Sequence, residues 1–235
     1  MMIIFFKNLI NRHGFYAIFF LPFFVFNVCD ARVISPPELN AQRVIVKDKK
    51  AHLTIKNKSD KAWLIQSWIE GLDKKKQKKM ILPEFARVEA HSSLNLTIYP
   101  KEFKENNKED MYWLTVRMIP ELDEQENINF AIPVNYKLKV FQRPDALSVS
   151  GRKLSDLEWK TYNGILFIKN RSGFHYSFSE LLFSHYKIVP PAKDVLLPFG
   201  EVQFKIPDKA GCFLSYSFTD DFGDDKKIII KRKSA

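Results

Sequence analysis

Glycine and cysteine are both scarce in this chain: 8 and 2 among 235 residues. With so little glycine there is no glycine-rich phosphate loop, and no GxSxG nucleophile elbow occurs. The five histidines, at 13, 52, 91, 175 and 185, form no HExxH or similar ligand spacing. The acidic cluster Asp220-Asp221-Phe222-Gly223-Asp224-Asp225 lacks the regularly alternating oxygen ligands of a calcium loop. It reads as a turn with one structural carboxylate. These absences leave no support for catalysis, and they call for no metal and no cofactor. No apolar run is long enough to cross a bilayer. The longest, residues 15–28, is broken by Pro22 and Asn27 and falls short of the roughly 20 residues a spanning helix needs.

That run has the form of an export signal. Lys7 and Arg12 precede it, and Cys29-Asp30-Ala31 follows it with small residues three and one positions before a cleavage point after Ala31. The alternatives, an uncleaved anchor or a lipoprotein, are disfavoured by the short run and by Val28 standing before Cys29. Removal of residues 1–31 would leave 35 basic and 26 acidic residues, a net charge of +9. It would also leave Cys212 as the lone cysteine, so no intramolecular disulfide could form. Cys212 reads as a small buried apolar side chain. The positive charge is compatible with nucleic acid, an anionic membrane or an acidic protein, and export argues against nucleic acid.

What the chain does have is 21 phenylalanines and 46% apolar residues, enough for real cores. Apolar residues alternate with polar ones in short segments: Leu53 and Ile55; Leu94, Leu96 and Ile98; Tyr112, Leu114, Val116 and Met118; Ile128, Phe130, Ile132 and Val134; Tyr136, Leu138 and Val140. Period-2 alternation at this spacing predicts an all-β sandwich, and no convincing amphipathic helix or sequence repeat stands out. Residues 73–79 form a charged hairpin loop and 121–127 another polar loop. Arg143-Pro144-Asp145 reads as a domain junction. Beyond it, strands are expected near 157–159, 165–168, 176–183, 202–206, 213–218 and 228–230. The expected organisation is a signal peptide over 1–31, one sandwich over 32–144 and a second over 145–235.

Residues 127–144 form an unusually long strand candidate. One face of its first half presents Ile128, Phe130, Ile132 and Val134; Pro133, on the other face, cannot donate to a ladder and marks an edge. A long apolar edge invites pairing with another chain. On alternation alone, the favoured reading is that the same four side chains face their own core.

Leu138-Lys139-Val140-Phe141-Gln142-Arg143-Pro144 resembles the strand-end signature of PapD-like periplasmic pilus chaperones, roughly I/L-K-L-F-Y-R-P. Gln42-Arg43-Val44-Ile45-Val46 is similar to the family's first strand. Ile65-Gln66-Ser67-Trp68-Ile69 resembles its A-Q-A-W-I-type strand, and residues 112–120 its F-Y-F-N-L-R-E-I-P-type strand. Leu214-Ser215-Tyr216 and Asp220-Asp221-Phe222-Gly223 resemble later pieces. The order and spacing of these pieces cover nearly all of the chain after residue 31. The short loop between Pro120 and Ile128 is similar to the short-loop branch.

The resemblance implies two immunoglobulin-like β-sandwich domains set at an angle around a cleft. It implies that Arg43 and Lys139, at the foot of the cleft, bind the C-terminal carboxylate of a pilin subunit; a guanidinium fork and a lysine point charge suit two acceptor oxygens. It implies that Ile128, Phe130, Ile132 and Val134 form the strand donated to a pilin that lacks its own final strand, the mode known as strand addition. Four such side chains represent about 6–12 kcal/mol of gross burial. Glu109, Arg143 and Asp221 match a charged network that sets the interdomain angle. The implied partners are pilin subunits and an outer-membrane usher, in the periplasm, with self-capping as a homodimer a reasonable resting state.

Three departures accompany the match. Strict alternation puts Lys139 on the face opposite Ile128–Val134, so a bulge or strong twist is expected between Val134 and Lys139. Asn170-Arg171-Ser172-Gly173 stands where the family usually shows Asn-Pro-Thr-Pro, and Cys212 has no partner. Two other functions fit the composition: a structural pilus subunit, against which two complete domains weigh, and a β-sandwich module binding carbohydrate or polyanions through the +9 charge.

Overall fold

The computed structural model describes residues 35–47, 50–77, 80–99, 101, 107–122, 131–184, 186–188, 195–207 and 213–231. These residues form four sheets. One has the spatial order β1 (Glu38–Leu39), β3 (Ala51–Lys56), β8 (Ser93–Ile98), β6 (Ile81–Leu82). Its partner has the order β2 (Arg43–Val46), β10 (Val134–Gln142), β9 (Asp110–Pro120), β4 (Trp63–Glu70), β5 (Lys76–Gln77), with β7 (Phe85–Val88) also pairing β4. A helix, α1 (Asp145–Ser150), leads into the second half. There, β11 (Leu157–Tyr162), β12 (Ile165–Asn170) and β16 (Glu201–Lys205) make one sheet. The last sheet runs β14 (Tyr186–Lys187), β13 (Tyr176–Phe183), β17 (Phe213–Thr219), β18 (Asp225–Lys231), with β15 (Val195–Leu196) against β13.

Alternation explains how the sheets pair. Leu53, Ile55, Leu96 and Ile98 from one sheet meet Ile65, Ile69, Leu114, Val116, Met118, Leu138 and Val140 from the other in a single buried core. The second core joins Leu157, Leu166, Ile168 and Phe204 to Tyr176, Phe178, Leu181, Phe183, Leu214, Tyr216 and Phe218. Aromatic residues dominate it, and Phe178 meets Tyr216 edge-on with centroids 5.7 Å apart. The expected strands are present within a few residues of their expected bounds, except that the candidate over 127–144 is, among the described residues, a strand only over Val134–Gln142. The last begins earlier, at Asp225, because the turn before it is tight: Asp220 Oδ1 accepts hydrogen bonds from the backbone N–H groups of Phe222 and Asp224, both at 2.9 Å. Asp220 is therefore the structural carboxylate of that turn. The short helix α1 went unpredicted; it follows Pro144, whose fixed φ suits a helix start.

Each sandwich uses the same small device to turn the chain. After β3, Asn57 Nδ2 donates to Lys61 O (2.8 Å) and Glu89 O (2.9 Å), while its Oδ1 accepts from Ser59 N (3.0 Å) and Ser59 Oγ (2.7 Å). After β12, Asn170 Nδ2 donates to Phe174 O (2.7 Å) and Leu197 O (2.9 Å), and its Oδ1 accepts from Ser172 N (2.9 Å) and Ser172 Oγ (2.8 Å). The signature is Asn-Lys-Ser in one case and Asn-Arg-Ser in the other, a three-residue recurrence too short to register as a repeat. The departure at 170–173 has its own causes: the Arg171 N–H, which proline would lack, donates to Asp156 O at 2.7 Å. A Cβ on Gly173 would lie 2.0 Å from Asn107 O, so proline there would require that backbone to move.

Both asparagines are almost fully buried, so losing the amide strands several buried backbone groups at once. Asn57→Ala and Asn170→Ala are each expected to lower unfolding free energy by about 2–4 kcal/mol. Urea denaturation checks this. A loss of under about 0.5 kcal/mol, as expected of an ordinary surface substitution, would show that the bonds contribute little.

Candidate functional site

β10 is the strand on which the expected site residues converge. It pairs with β9 without interruption from Val134↔Met118 to Gln142↔Asp110. On its other side it pairs in parallel with β2 only from Lys139↔Arg43 to Gln142↔Val46. Among the described residues, positions 134–138 therefore have an unpaired edge, and that edge stops where Arg43 begins. The expected bulge is absent, since the β9 register never shifts. Instead, the row of even-numbered side chains changes surroundings along one face. Val140 and Leu138 are buried in the first core, Tyr136 packs at its margin, Val134 is partly exposed, and Ile132 is 69% exposed. The apolar row leaves the core as the chain is followed back from Leu138 through Tyr136 and Val134 to Ile132. Pairing starts at Val134, so Ala131, Ile132 and Pro133 precede the strand rather than forming part of it. Ile128 and Phe130 lie outside the described residues.

Arg43 and Lys139 stand side by side across the parallel pair, on the face opposite the apolar row. Both reach the second sandwich. Arg43 Nη1 donates to Thr219 O at 2.9 Å, and Lys139 Nζ donates to Ser177 Oγ at 3.0 Å. Arg43 is almost fully buried, with its guanidinium 5.7 Å from the Phe141 ring centroid. Its Nε is buried and has no hydrogen-bond acceptor among the described residues. Burial, and next the neighbouring Arg152, pull this guanidinium below its ordinary pKa. The nearby carboxylates of Asp221, Asp220 and Glu109 act in the opposite direction without reversing the shift.

Glu109, Arg143 and Asp221 form one cluster at the same seam. Arg143 Nε donates to Glu109 Oε1 at 2.7 Å, and its two terminal nitrogens grip Asp221 at 2.5 and 2.8 Å. This two-pronged contact is the strong form of an arginine–carboxylate pair. Residues not anticipated from the sequence complete it. Arg152 Nη1 donates to Asp221 Oδ1 at 2.6 Å, and His175 N donates to Glu109 Oε2 at 2.9 Å. Phe174 offers its ring to Arg143 and Arg152, 5.1 and 5.3 Å away. No short motif marks Arg152 or His175; only the meeting of the two sandwiches reveals them. The chain also stitches itself directly, since Glu109 N donates to Gly173 O at 2.9 Å.

Burial works against charge on both carboxylates, but their partners prevail. Hydrogen bonding from His175, then Arg143 and Arg152, holds Glu109 below its ordinary pKa. The hydrogen bond from Arg143 and the charges of Arg152 and Arg143 do the same for Asp221. A carboxylate with a depressed folded-state pKa stabilises above its unfolded pKa, near 4, and loses that contribution as pH falls towards the folded value. Asp221→Asn is thus expected to cost about 1–3 kcal/mol at pH 7. Glu109→Gln, fully buried, is expected to cost about 3–5 kcal/mol. The gap from wild type should stay level from pH 8 to about 5 and narrow below about 4. Urea midpoints across that range test it, and a gap insensitive to pH would show that the carboxylate charges do not contribute.

Comparison with known proteins agrees with this architecture. Residues 38–148 match the family model described as "Pili and flagellar-assembly chaperone, PapD N-terminal domain", and residues 153–229 match "Pili assembly chaperone PapD, C-terminal domain". Protein FasE of Escherichia coli is 37% identical over 111 residues, spanning 47% of this chain and 76% of FasE. The chaperone protein CssC of Escherichia coli is 26% identical over 206 residues, 81% of this chain and 88% of CssC. Among solved structures, a chain of the Salmonella enterica SafA pilin–SafB chaperone complex superimposes with a TM-score of 0.71 at 21% identity, covering 85% of this chain and 97% of that one. No helix among the described residues is long and apolar enough to cross a membrane. Two matched domain models in tandem, on two packed sandwiches, show that the chain belongs to the PapD-like family of pilus-assembly chaperones.

Proposed function

We propose that the chain is a non-enzymatic periplasmic chaperone that caps pilin subunits by lending them the segment from Ile128 to Val134 that leads into β10, then passes them to an outer-membrane usher. Residues 1–31 serve as a cleaved export signal, 32–144 as the donor domain and 145–235 as its partner. One observation carries the reading: the edge over 134–138, unpaired among the described residues, terminates at a pair of cations, Arg43 and Lys139. A guest strand laid along that edge must stop where β2 begins. If it ran antiparallel to β10, its terminal ammonium would meet two positive charges. If it ran parallel, its terminal carboxylate would meet them instead. Electrostatics therefore selects the parallel guest ending in a free carboxylate.

The basic pair sets the register and the apolar row fills the guest. Ile132 and Val134, with Ile128 and Phe130 ahead of them, supply alternate side chains for pockets in a sandwich that lacks a strand. Each buried side chain contributes about 1.5–3 kcal/mol, enough to hold a subunit yet exchangeable for another subunit's own segment. Glu109, Arg143 and Asp221 act indirectly, by fixing the seam on which the cations sit. A homodimer that covers the same edge is the expected resting state. The use of strand exchange needs no nucleotide and no metal.

Periplasmic coexpression with candidate pilin subunits, followed by pull-down, tests the reading. The expected result is a one-to-one complex that Lys139→Glu abolishes and Ile132→Asp weakens, with unfolding midpoints unchanged. Affinity for a polyanion that collapses with salt and survives Lys139→Glu would instead favour a charge-driven binding module.

A further inference from the structure

Asp221, Asp220 and Glu109 all lie close enough to act on the Arg43 charge. If one of them closed onto Arg43 as a two-pronged pair, few donors would remain for a guest carboxylate. Each is committed elsewhere. Asp220 Oδ1 accepts from the backbone N–H groups of Phe222 and Asp224, and Lys226 Nζ lies 3.5 Å from its Oδ2. Glu109 accepts from Arg143 Nε and from the backbone N–H of His175. Asp221 stands only two residues after Thr219, whose carbonyl accepts the hydrogen bond from Arg43 Nη1. Its Oδ2 accepts from Arg143 Nη1, and its Oδ1 accepts twice, from Arg143 Nη2 at 2.8 Å and from Arg152 Nη1 at 2.6 Å. Among the described residues, none of the three carboxylates forms an ion pair with Arg43. Arg152 is itself held firmly. Its Nη2 donates to His175 O at 3.3 Å, and its guanidinium lies 5.3 and 5.8 Å from the ring centroids of Phe174 and Tyr176.

We propose that Arg152 is a positioning residue for the carboxylate anchor: by filling the second acceptor site of Asp221 Oδ1, it keeps Asp221 on the seam and off Arg43. The Arg43 guanidinium then stays open to the terminal carboxylate of a guest. Without Arg152, Oδ1 regains a free acceptor site, and Arg43, bonded two residues away at Thr219 O, is a cation able to fill it. The chain's own carboxylate would then compete with the guest's. This inference rests on the reading of Arg43 and Lys139 as the site for a terminal carboxylate. Arg152 acts on the guest only through Asp221, so its effect on capture disappears once the Asp221 charge is removed.

The test measures binding of the full chain to a synthetic peptide that copies the C-terminal strand of the subunit captured on coexpression, made as the free acid and as the amide. Wild type is expected to bind the acid more tightly. Arg152→Gln is expected to weaken binding of the acid about five- to thirtyfold and to leave the amide nearly unchanged. Asp221→Asn alone should change acid binding little, yet added to Arg152→Gln it should recover most of the loss, a coupling that a double-mutant cycle reads directly. Equal losses against acid and amide, equal effects of Asp221→Asn in the two backgrounds, or a double variant weaker than Arg152→Gln would overturn the proposal while leaving the anchor intact. Arg152→Lys, which keeps the charge without the fork, replaces Arg152→Gln if that variant does not fold. Where the double variant does not fold, a crystal structure of the single one decides: Asp221 hydrogen-bonded to Arg43 supports the proposal, and Asp221 bonded to Arg143 without Arg43 overturns it. If wild type does not distinguish acid from amide, the anchor reading itself fails and the proposal falls with it.

Discussion

The Arg143 guanidinium is the point on which the rest of the molecule depends. It follows the end of β10, almost fully buried, with Glu109 on one side and Asp221, from the second sandwich, on the other. A buried cation between two carboxylates is costly to disturb, because removing either partner leaves charge without water. Its consequence is geometric. The seam it fixes brings Thr219 and Ser177 to Arg43 and Lys139, so two cations from the first sandwich are held against the second.

The proposed capture surface lies beside that seam. Among the described residues, β2 covers the last part of one side of β10 and nothing pairs with the rest of that side. The strand therefore has a paired half, rooted in the first core, and a half with one open edge. The same alternating side chains are core at one end and exposed at the other, and no bulge is needed to turn them. An exposed apolar edge is normally a hazard. On the function proposed here it ends at a charged stop, Arg43 beside Lys139, which would convert indiscriminate pairing into selection for a strand of one polarity with one kind of terminus.

Much of this could be read from the sequence, for identifiable reasons. Alternation at Leu114, Val116 and Met118, and at Leu138 and Val140, reports a buried face directly, and the structure buries all five. The roles of Arg43 and Lys139 came from resemblance to a family, since each alone looks like a solvated strand residue. Alternation misled in one respect. It suggested that the apolar row and Lys139 needed a bulge to share a function, whereas progressive exposure along one face and a seam on the other suffices. Arg152, His175 and Ser177 could not be read at all. Each acquires meaning from a neighbour more than 20 residues away, and periodicity within one strand carries no information about such neighbours. Gly173 belongs with them, because only the passage of Asn107 beside it explains its missing side chain.

The central claim is that a guest strand occupies the open edge over 134–138. Backbone amide hydrogen exchange across that window, measured for the chain alone and for the chain holding a pilin subunit, tests it most directly. The account predicts that the amides facing away from β9 exchange fast in the free chain and slow markedly on capture, with slowing greatest towards Lys139. Unchanged exchange there, with protection appearing instead on the β11–β12–β16 sheet, would contradict it.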